Sequence, residues 1–268
     1  MSDLTIFSVA TDRYLNFWED LIRSSMGKMD KNLEIQWLVC TNKPKEISQD
    51  IRDYLGVNLV IREIAGEKWP FPTLLRYKYL KDSIDAISGE LLMHLDADMK
   101  IESEISVANL TAMIGDTGLG FVSHPGYYRP NGVARGLFYL QNPIFILRDF
   151  KFLLKFGALG AWENNKNSKA YIKRSLRKNY VCGGTWIGKT EKILSMCTEL
   201  DSNIQIDLAN GVIAIYHDES HLNAFISTQP YSISLPEYCY EISFPQLKNI
   251  SCKVAVVNKN LNSIWNRE

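Results

Sequence analysis

Neither sign of charge dominates this 268-residue chain: 30 Lys and Arg stand against 30 Asp and Glu. No global basic field exists to draw it onto nucleic acid. Cysteine is scarce. Cys40, Cys182, Cys197, Cys239 and Cys252 are odd in number and include no CxxC pair, which argues against a disulfide framework or a thiolate zinc site and fits a reducing compartment. The N-terminus "MSDLTIFSVATDRYLNFWEDL" lacks the basic start and long apolar core of a secretory signal. No uncharged apolar run reaches the ~18 residues of a spanning helix, so none is expected. The GxGxxG fingerprint and the GxxxxGK[ST] phosphate loop are both missing, and "GLGF" (118–121) is too short to stand for either. The dinucleotide-oxidoreductase reading thereby loses its main support. The composition, 46% hydrophobic and 22% charged, is that of a globular protein with room for one large α/β domain or two small ones.

The chain alternates strand-like and helix-like stretches. "LTIFSVA" (4–10) reads as a buried first strand followed by the turn "TDRY" (11–14). Helical spacing follows at Leu15, Trp18, Ile22, Met26 and Met29. "LEIQWLVCT" (33–41) and "NLVIREI" (58–64) read as strands around the short helix "ISQDIRDYL". "FPTLLRYKYLKDSIDAI" (71–87) reads as one helix with a proline near its start, and "GELLMHLDADMKI" as the next strand. This alternation predicts an α/β fold with a parallel, Rossmann-like sheet. Ligands in such sheets sit beyond the carboxyl ends of strands, where Asp96, Asp98, Thr11 and Tyr14 fall. From Asn131 to Gly160 the pattern turns rich in Phe and Leu, with Arg148, Lys151 and Lys155 spaced through it. It reads as a cationic amphipathic helix. A cover for the core, a membrane-surface contact and an acceptor-side element all remain open for it.

Four stretches carry the chemistry. Asp96 and Asp98 can converge on a divalent cation, although an acidic turn explains them equally well. "AIYHDESHLNAF" (214–225) crowds His217, Asp218, Glu219, Ser220, His221 and Asn223 between apolar flanks. That blend suits proton or cation chemistry, or a polar turn with a helix cap. Zinc is the weaker reading, because H-E-x-x-H is absent. In "YVCGGTWIG" (180–188), Gly183 and Gly184 allow a close backbone approach to a ligand or a turn. "SHPGYYRP" (123–130) is a His-Pro-Gly turn followed by two tyrosines, whose faces suit sugar rings.

In this order the four stretches resemble the family 6 glycosyltransferases, which include the histo-blood-group A and B transferases, the α1,3-galactosyltransferases and their microbial relatives. "HPGYY" resembles the family's His-Pro-Gly-Phe-Tyr. "AYIKRSLRKNYVCGGTWIG" resembles its Ala-Tyr-Ile-Pro segment running into Tyr-Tyr-x-Gly-Gly. "YHDESHLNAF" is similar to its Trp-His-Asp-Glu-Ser-His-Leu-Asn, with seven consecutive identities from His217 to Asn223. "KWPFPTLLRY" resembles the segment before the family's nucleotide-binding arginine. The similarity runs from about Ile6 to Lys259, nearly the whole chain.

The resemblance implies a GT-A type fold in a single catalytic domain over residues 1–268. Residues 1–100 would mainly bind UDP, and 101–268 would mainly serve acceptor and catalysis. It implies a retaining α1,3-glycosyltransferase that moves GalNAc or Gal from UDP-GalNAc or UDP-Gal to a terminal galactose, 2-fucosylated or not, of a surface glycan. Asp96 and Asp98 match the aspartates that hold Mn²⁺ and the diphosphate. Val9, Ala10, Thr11 and Tyr14 match positions around the uridine, Arg76 a nucleotide-contacting arginine, and Lys259 a basic residue of the C-terminal tail. Glu219 matches the catalytic glutamate and Asp218 an aspartate on the donor sugar. His124 matches an acceptor-contacting histidine, while Cys182, Gly183 and Gly184 match the stretch that sorts GalNAc from Gal. His217 belongs to the same substrate-binding stretch.

Departures from the family pattern bear on the acceptor. Tyr216 replaces a tryptophan, and Glu241 falls where the family usually has an aspartate. The Asp-Ala-Asp, in place of the Asn-x-Asn of many bacterial members, implies metal dependence. A glycine at 184 leaves room for an acetamido group and favours UDP-GalNAc. The expected setting is the cytoplasm of a bacterium or a phage-infected cell, with a peripheral membrane contact through 137–159 and no nucleic-acid partner. Two other classes stay in play: a sugar-binding module that has lost catalysis, and a zinc-dependent hydrolase. His94 receives no role and is expected to face the core or the sheet.

Overall fold

The computed structural model describes residues 2–259. The chain opens with β1 (Leu4–Val9), α1 (Tyr14–Ser25), β2 (Ile35–Thr41), α2 (Gln49–Leu55) and β3 (Leu59–Glu63). Two short helices follow, α3 (Phe71–Leu74) and α4 (Arg76–Lys81), then β4 (Leu91–Leu95), β5 (Met99–Ile101), α5 (Val107–Ile114) and β6 (Leu119–Ser123). The remainder holds α6 (Gly132–Gln141), α7 (Ile144–Phe156), β7 (Val181–Lys189), α8 (Thr190–Ala209), α9 (His217–Ile226), β8 (Ser232–Ser234) and β9 (Val254–Val256).

Seven strands form one sheet in the order β3-β2-β1-β4-β7-β6-β8. The pairs β3–β2, β2–β1 and β1–β4 are parallel, with Leu4 opposite both Ile35 and Leu91. Strand β7 runs against both of its neighbours, and β8 lies parallel to β6. The sheet is therefore mostly parallel, the α/β architecture that the alternating pattern predicts. Both faces are covered, which is why β1 and β2 read as almost unbroken apolar runs. Leu4 and Ile6 pack on one face with Trp18 and Ile22 of α1. Phe7 packs on the other with Tyr77, Trp186 and the inner side of α8. A smaller cluster of Phe156, Trp162, Ile172 and Tyr180 lies under α7.

Several elements differ from the sequence-based expectation. The 71–87 helix is broken at Leu75, where Thr73 spends its carbonyl on the Nε–H of Arg76 (3.2 Å). The stretch 89–101 is two strands rather than one. β4 stops at Leu95, and β5 leaves the main sheet to pair with β9. "VCGGTWIG" is a strand, not a turn: its glycines sit inside β7, where other backbone and side chains approach closely. The Phe- and Leu-rich stretch is not one helix. Pro143 lacks an N–H and restricts Asn142 before it, so α6 ends at Gln141 and α7 begins afresh at Ile144. Among the described residues, no helix is long and apolar enough to cross a membrane.

Candidate functional site

The carboxyl ends of β1 and β4 open into a cavity of about 450 Å³. It is lined by Val9, Thr11 and Tyr14 from the first strand exit, by Trp69 and Arg76, by Asp96 and Asp98, and by Lys259. The position beyond strand ends is where an open α/β sheet takes its ligands. Ala10 lies beneath this lining, fully buried in the core. The two aspartates stand on the turn where β4 hands over to β5.

Arg76 is the hub. Its guanidinium is buried. Nη1 lies 2.9 Å from Asp96 Oδ1 and donates to Gly183 O (3.0 Å), while Nε lies 3.1 Å from Asp218 Oδ2. Nη1 is also 2.6 Å from His94 Nε2. Since the guanidinium can only donate, His94 Nε2 accepts, and Nδ1–H donates to the Phe7 carbonyl (3.1 Å). Burial and the Arg76 charge keep the imidazole neutral, below its ordinary pKa. Burial opposes the charge of Arg76 itself, but Asp218 and Asp96 outweigh it and raise its pKa.

The carboxylates around this hub differ in electrostatics. Burial works against ionisation of Asp96, but the Arg76 guanidinium holds it well below the usual carboxylate range. Asp98 is pushed upward by burial and by the Asp96 charge, against the Lys259 ammonium 2.6 Å away. Lys259 also meets the Tyr14 hydroxyl at 3.0 Å. Asp218 is raised to about 7 by burial, with Arg76 pulling the other way. Its Oδ2 is buried against Arg76, and among the described residues it has no hydrogen-bond partner.

Two hard carboxylate oxygens at a strand exit, with a lysine cation already resting on one of them, suit a divalent ion. Among the described residues, no group of three or more His, Cys, Asp or Glu side chains gathers there. An ion held by Asp96 and Asp98 would therefore complete its shell with oxygens of a bound anion.

Helix α9 brings the second half of the site. Glu219 lies in its first turn and is 18% exposed, with Oε2 accepting from the Gly183 N–H at 2.8 Å. Burial lifts its pKa to about 7, against the Gly183 N–H and the Tyr180 hydroxyl. His124, held by the turn after β6, accepts the Gly126 N–H on Nδ1 (3.0 Å). Burial lowers its pKa to about 4. It is therefore neutral with its proton on Nε2, which faces Glu219 Oε1 at 3.9 Å. Asn223 ties α9 to β7 by accepting from Val181 N–H and donating to Val181 O. His217 adopts a left-handed backbone (φ 47°) and meets Trp69 edge-on. His221 instead turns inward beside Asp207, so the two histidines of "HDESH" part rather than converge.

The glycines matter for what their α-carbons face. A Cβ on Gly184 would lie 2.7 Å from Asp96 Oδ2 and from the tip of Met99, and one on Gly183 3.2 Å from Asp218 Oδ2. Cys182 points into the core. Tyr216 is half-exposed at the mouth of α9. The Glu241 carboxylate accepts from Ser243 N–H in its own turn. The sequence pattern assigns no role to His94 or to Trp69. Both touch the residues expected to bind or react. The signal available for His94 was its place two residues before Asp96 in a strand that ends at the cavity.

Sequence comparison relates the chain to known glycosyltransferases. Residues 157–266 match the model of the family described as glycosyltransferase family 6. The chain is 23% identical over 271 residues to the rat histo-blood group ABO system transferase 1, covering 98% of this chain and 68% of the relative. It is 31% identical over 250 residues to the human globoside alpha-1,3-N-acetylgalactosaminyltransferase 1, covering 91% and 62%. It is 26% identical over 225 residues to the Escherichia coli O-antigen biosynthesis glycosyltransferase WbnI, covering 83% and 81%. Over most of its length, then, this chain is similar to family 6 glycosyltransferases, and its last hundred or so residues match that family's model.

Proposed function

We propose that the chain is a retaining family 6 glycosyltransferase that moves GalNAc, or less readily Gal, from its UDP donor to a terminal galactose through an α1,3 linkage. The observation that carries this reading is the contact chain through Arg76. One guanidinium touches Asp96 at the cavity end, Asp218 at the other, and the carbonyl of Gly183, whose N–H binds Glu219. The diphosphate end and the reacting end of a sugar nucleotide would thus be held in one rigid frame.

In this reading Val9, Thr11 and Tyr14 surround the uridine with Ala10 packed beneath them, and Asp96 and Asp98 would hold Mn²⁺ together with the diphosphate. That ion would neutralise charge on the departing UDP. Arg76 positions Asp96 and Asp218, and Lys259 supplies a second cation at the diphosphate end. Asp218, held by Arg76 through Oδ2, accepts a donor-sugar hydroxyl on its other oxygen. As the C1–O bond to the diphosphate breaks, the anomeric carbon becomes cationic. Glu219 meets that charge, whether retention runs through a covalent glycosyl-enzyme or through front-side attack within an ion pair. The neutral Nε2–H of His124 and the carboxylate of Glu219 stand too far apart for a direct bond and within common reach of an acceptor hydroxyl. Cys182, Gly183 and Gly184 form the wall on the donor-sugar side, with His217, Tyr216 and Glu241 on the acceptor side. The GalNAc preference is supported by the glycine at 184 and by the human relative, whose printed name is that of an N-acetylgalactosaminyltransferase.

The test is a donor screen with Mn²⁺ over fucosylated and unfucosylated galactosides. The expected result is α1,3 transfer from UDP-GalNAc, with slow hydrolysis when no acceptor is present. No turnover of any UDP-sugar would leave a sugar-binding module as the better reading.

A further inference from the structure

The helix pair α6–α7 carries the most prominent surface that the proposed chemistry leaves unused. Phe145, Asp149, Phe152 and Phe156 turn toward the body of the protein, the stripe expected of a packed helix. Asp149 is buried and takes two donors from Arg129 and a third from the Tyr139 hydroxyl (2.7 Å), which fixes the pair in place. The rest of α7 should be polar and is not. Ile144, Ile146, Leu147, Phe150, Leu153 and Leu154 are each about half or more exposed, and Leu140 of α6 is 80% exposed. Contiguous apolar surface of this kind marks a contact with something else.

The charges around it say what. Residues 131–180 hold ten Lys and Arg, of which only Arg177 is buried, against two acids, Asp149 and Glu163, both buried. The rest of the chain holds twenty against twenty-eight. Lys151 and Lys155 emerge between the exposed leucines of α7, and Arg174 packs its stem beside Gly157 at the helix's end. An apolar helix face interleaved with cations matches a surface whose outer layer is anionic and whose interior is hydrocarbon. A second copy of the chain fits poorly, since a two-fold contact would lay this excess of cations against itself.

We propose that the α6–α7 face docks on an anionic lipid bilayer, with α7 lying in the plane of the headgroups. A groove of about 490 Å³ leads from this face, past Leu147, Lys151 and Phe152, to Ile215 and Tyr216 just before α9. Docking therefore turns the acceptor end of the site toward the membrane. This last clause rests on the transferase reading, whereas the docking itself does not.

The experiment is co-sedimentation of the full chain with sucrose-loaded vesicles of phosphatidylcholine alone and of phosphatidylcholine containing one third phosphatidylglycerol. Binding is expected to the mixed vesicles and to fall in high salt. Lys151→Glu/Lys155→Glu should weaken it at least about 10-fold, given the contribution of each cation near an anionic surface. Leu147→Glu/Leu154→Glu should do the same. All four positions are exposed, and a thermal melt checks that the variants fold. Absence of sedimentation, or equal sedimentation with phosphatidylcholine alone, overturns the proposal. So does a dimer in sedimentation equilibrium that the leucine variant dissolves while vesicles bind neither protein. UDP-sugar turnover on a soluble acceptor, measured separately, judges the transferase reading without touching this one.

Discussion

Glu219→Gln should stabilise the folded protein while removing its turnover. In the fold, burial lifts the Glu219 carboxyl from 4.5 to about 7. A carboxylate whose folded pKa lies above its unfolded one costs stability when ionised. That cost is absent below about 4.5, grows as pH rises through the folded value, and is constant above it. A shift of this size corresponds to about 3 kcal/mol. Glutamine keeps the shape, and its side-chain oxygen can still accept from Gly183 N–H (2.8 Å in the native protein), but it cannot ionise. Urea unfolding should therefore find the variant more stable by up to about 3 kcal/mol at pH 8, with the gap nearly closed at pH 4. Comparing both proteins at the same pH cancels the titrating groups that do not feel Glu219; Asp218, which the Glu219 charge helps to raise, ionises more easily in the variant and moves the gap in the same direction. Loss of a charge that meets a developing cation should lower kcat about 100- to 1000-fold, with a smaller effect on KM. A glutamine variant less stable than the native protein at pH 8, or a gap that does not change with pH, would refute the reasoning. Glu219 would then be a structural carboxylate.

Asp98→Asn should abolish Mn²⁺-dependent transfer, read as turnover across a Mn²⁺ titration; activity that survives EDTA unchanged would reduce Asp96 and Asp98 to a turn. Gly184→Ala places a methyl 2.7 Å from Asp96 Oδ2 and the Met99 tip, an overpacking worth about 1–3 kcal/mol. It should raise the Mn²⁺ needed for half activity as well as shift the donor ratio toward UDP-Gal, and a donor shift with no change in Mn²⁺ dependence would separate the two. Arg129→Met, which strands Asp149 in the interior, should cost about 3–5 kcal/mol in urea unfolding, and Arg129→Met/Asp149→Leu should recover most of it.

How much of this was legible in the sequence depended on whether a signal was local. The first three strands and α1 follow from short apolar runs and from helical spacing around Trp18 and Ile22, because burial on both faces leaves a direct trace in residue type. The position of Asp96 and Asp98 at a strand exit was legible for the same reason. The direction of β7 was not. A Gly-Gly pair carries the chemistry of a turn, and only the packing of Asp96, Met99 and α9 against those α-carbons explains glycine inside a strand. Arg76 gave no local sign of being buried, since four of its five partners come from β4, the turn after it, β7 and α9, and only Thr73 O is near in sequence. His94 read as one more strand residue, and its part in orienting Arg76 exists only once β1 and β4 lie side by side. The break between α6 and α7 was written plainly as Asn142-Pro143, although the length of the apolar pattern around it masked the stop.

The Arg76 guanidinium has a consequence for how such a protein can change. A single cation serves Asp96, Asp218, His94 and the backbone of Gly183, so none of these positions is free to drift alone. A substitution that reshapes the sugar end through Gly183 or Asp218 is transmitted to Asp96 within two contacts. On the transferase reading, new donor preferences should therefore arise through paired replacements, one at Gly183 or Asp218 and one that restores the hub, while Tyr216 and Glu241, which do not touch Arg76, could diversify one residue at a time.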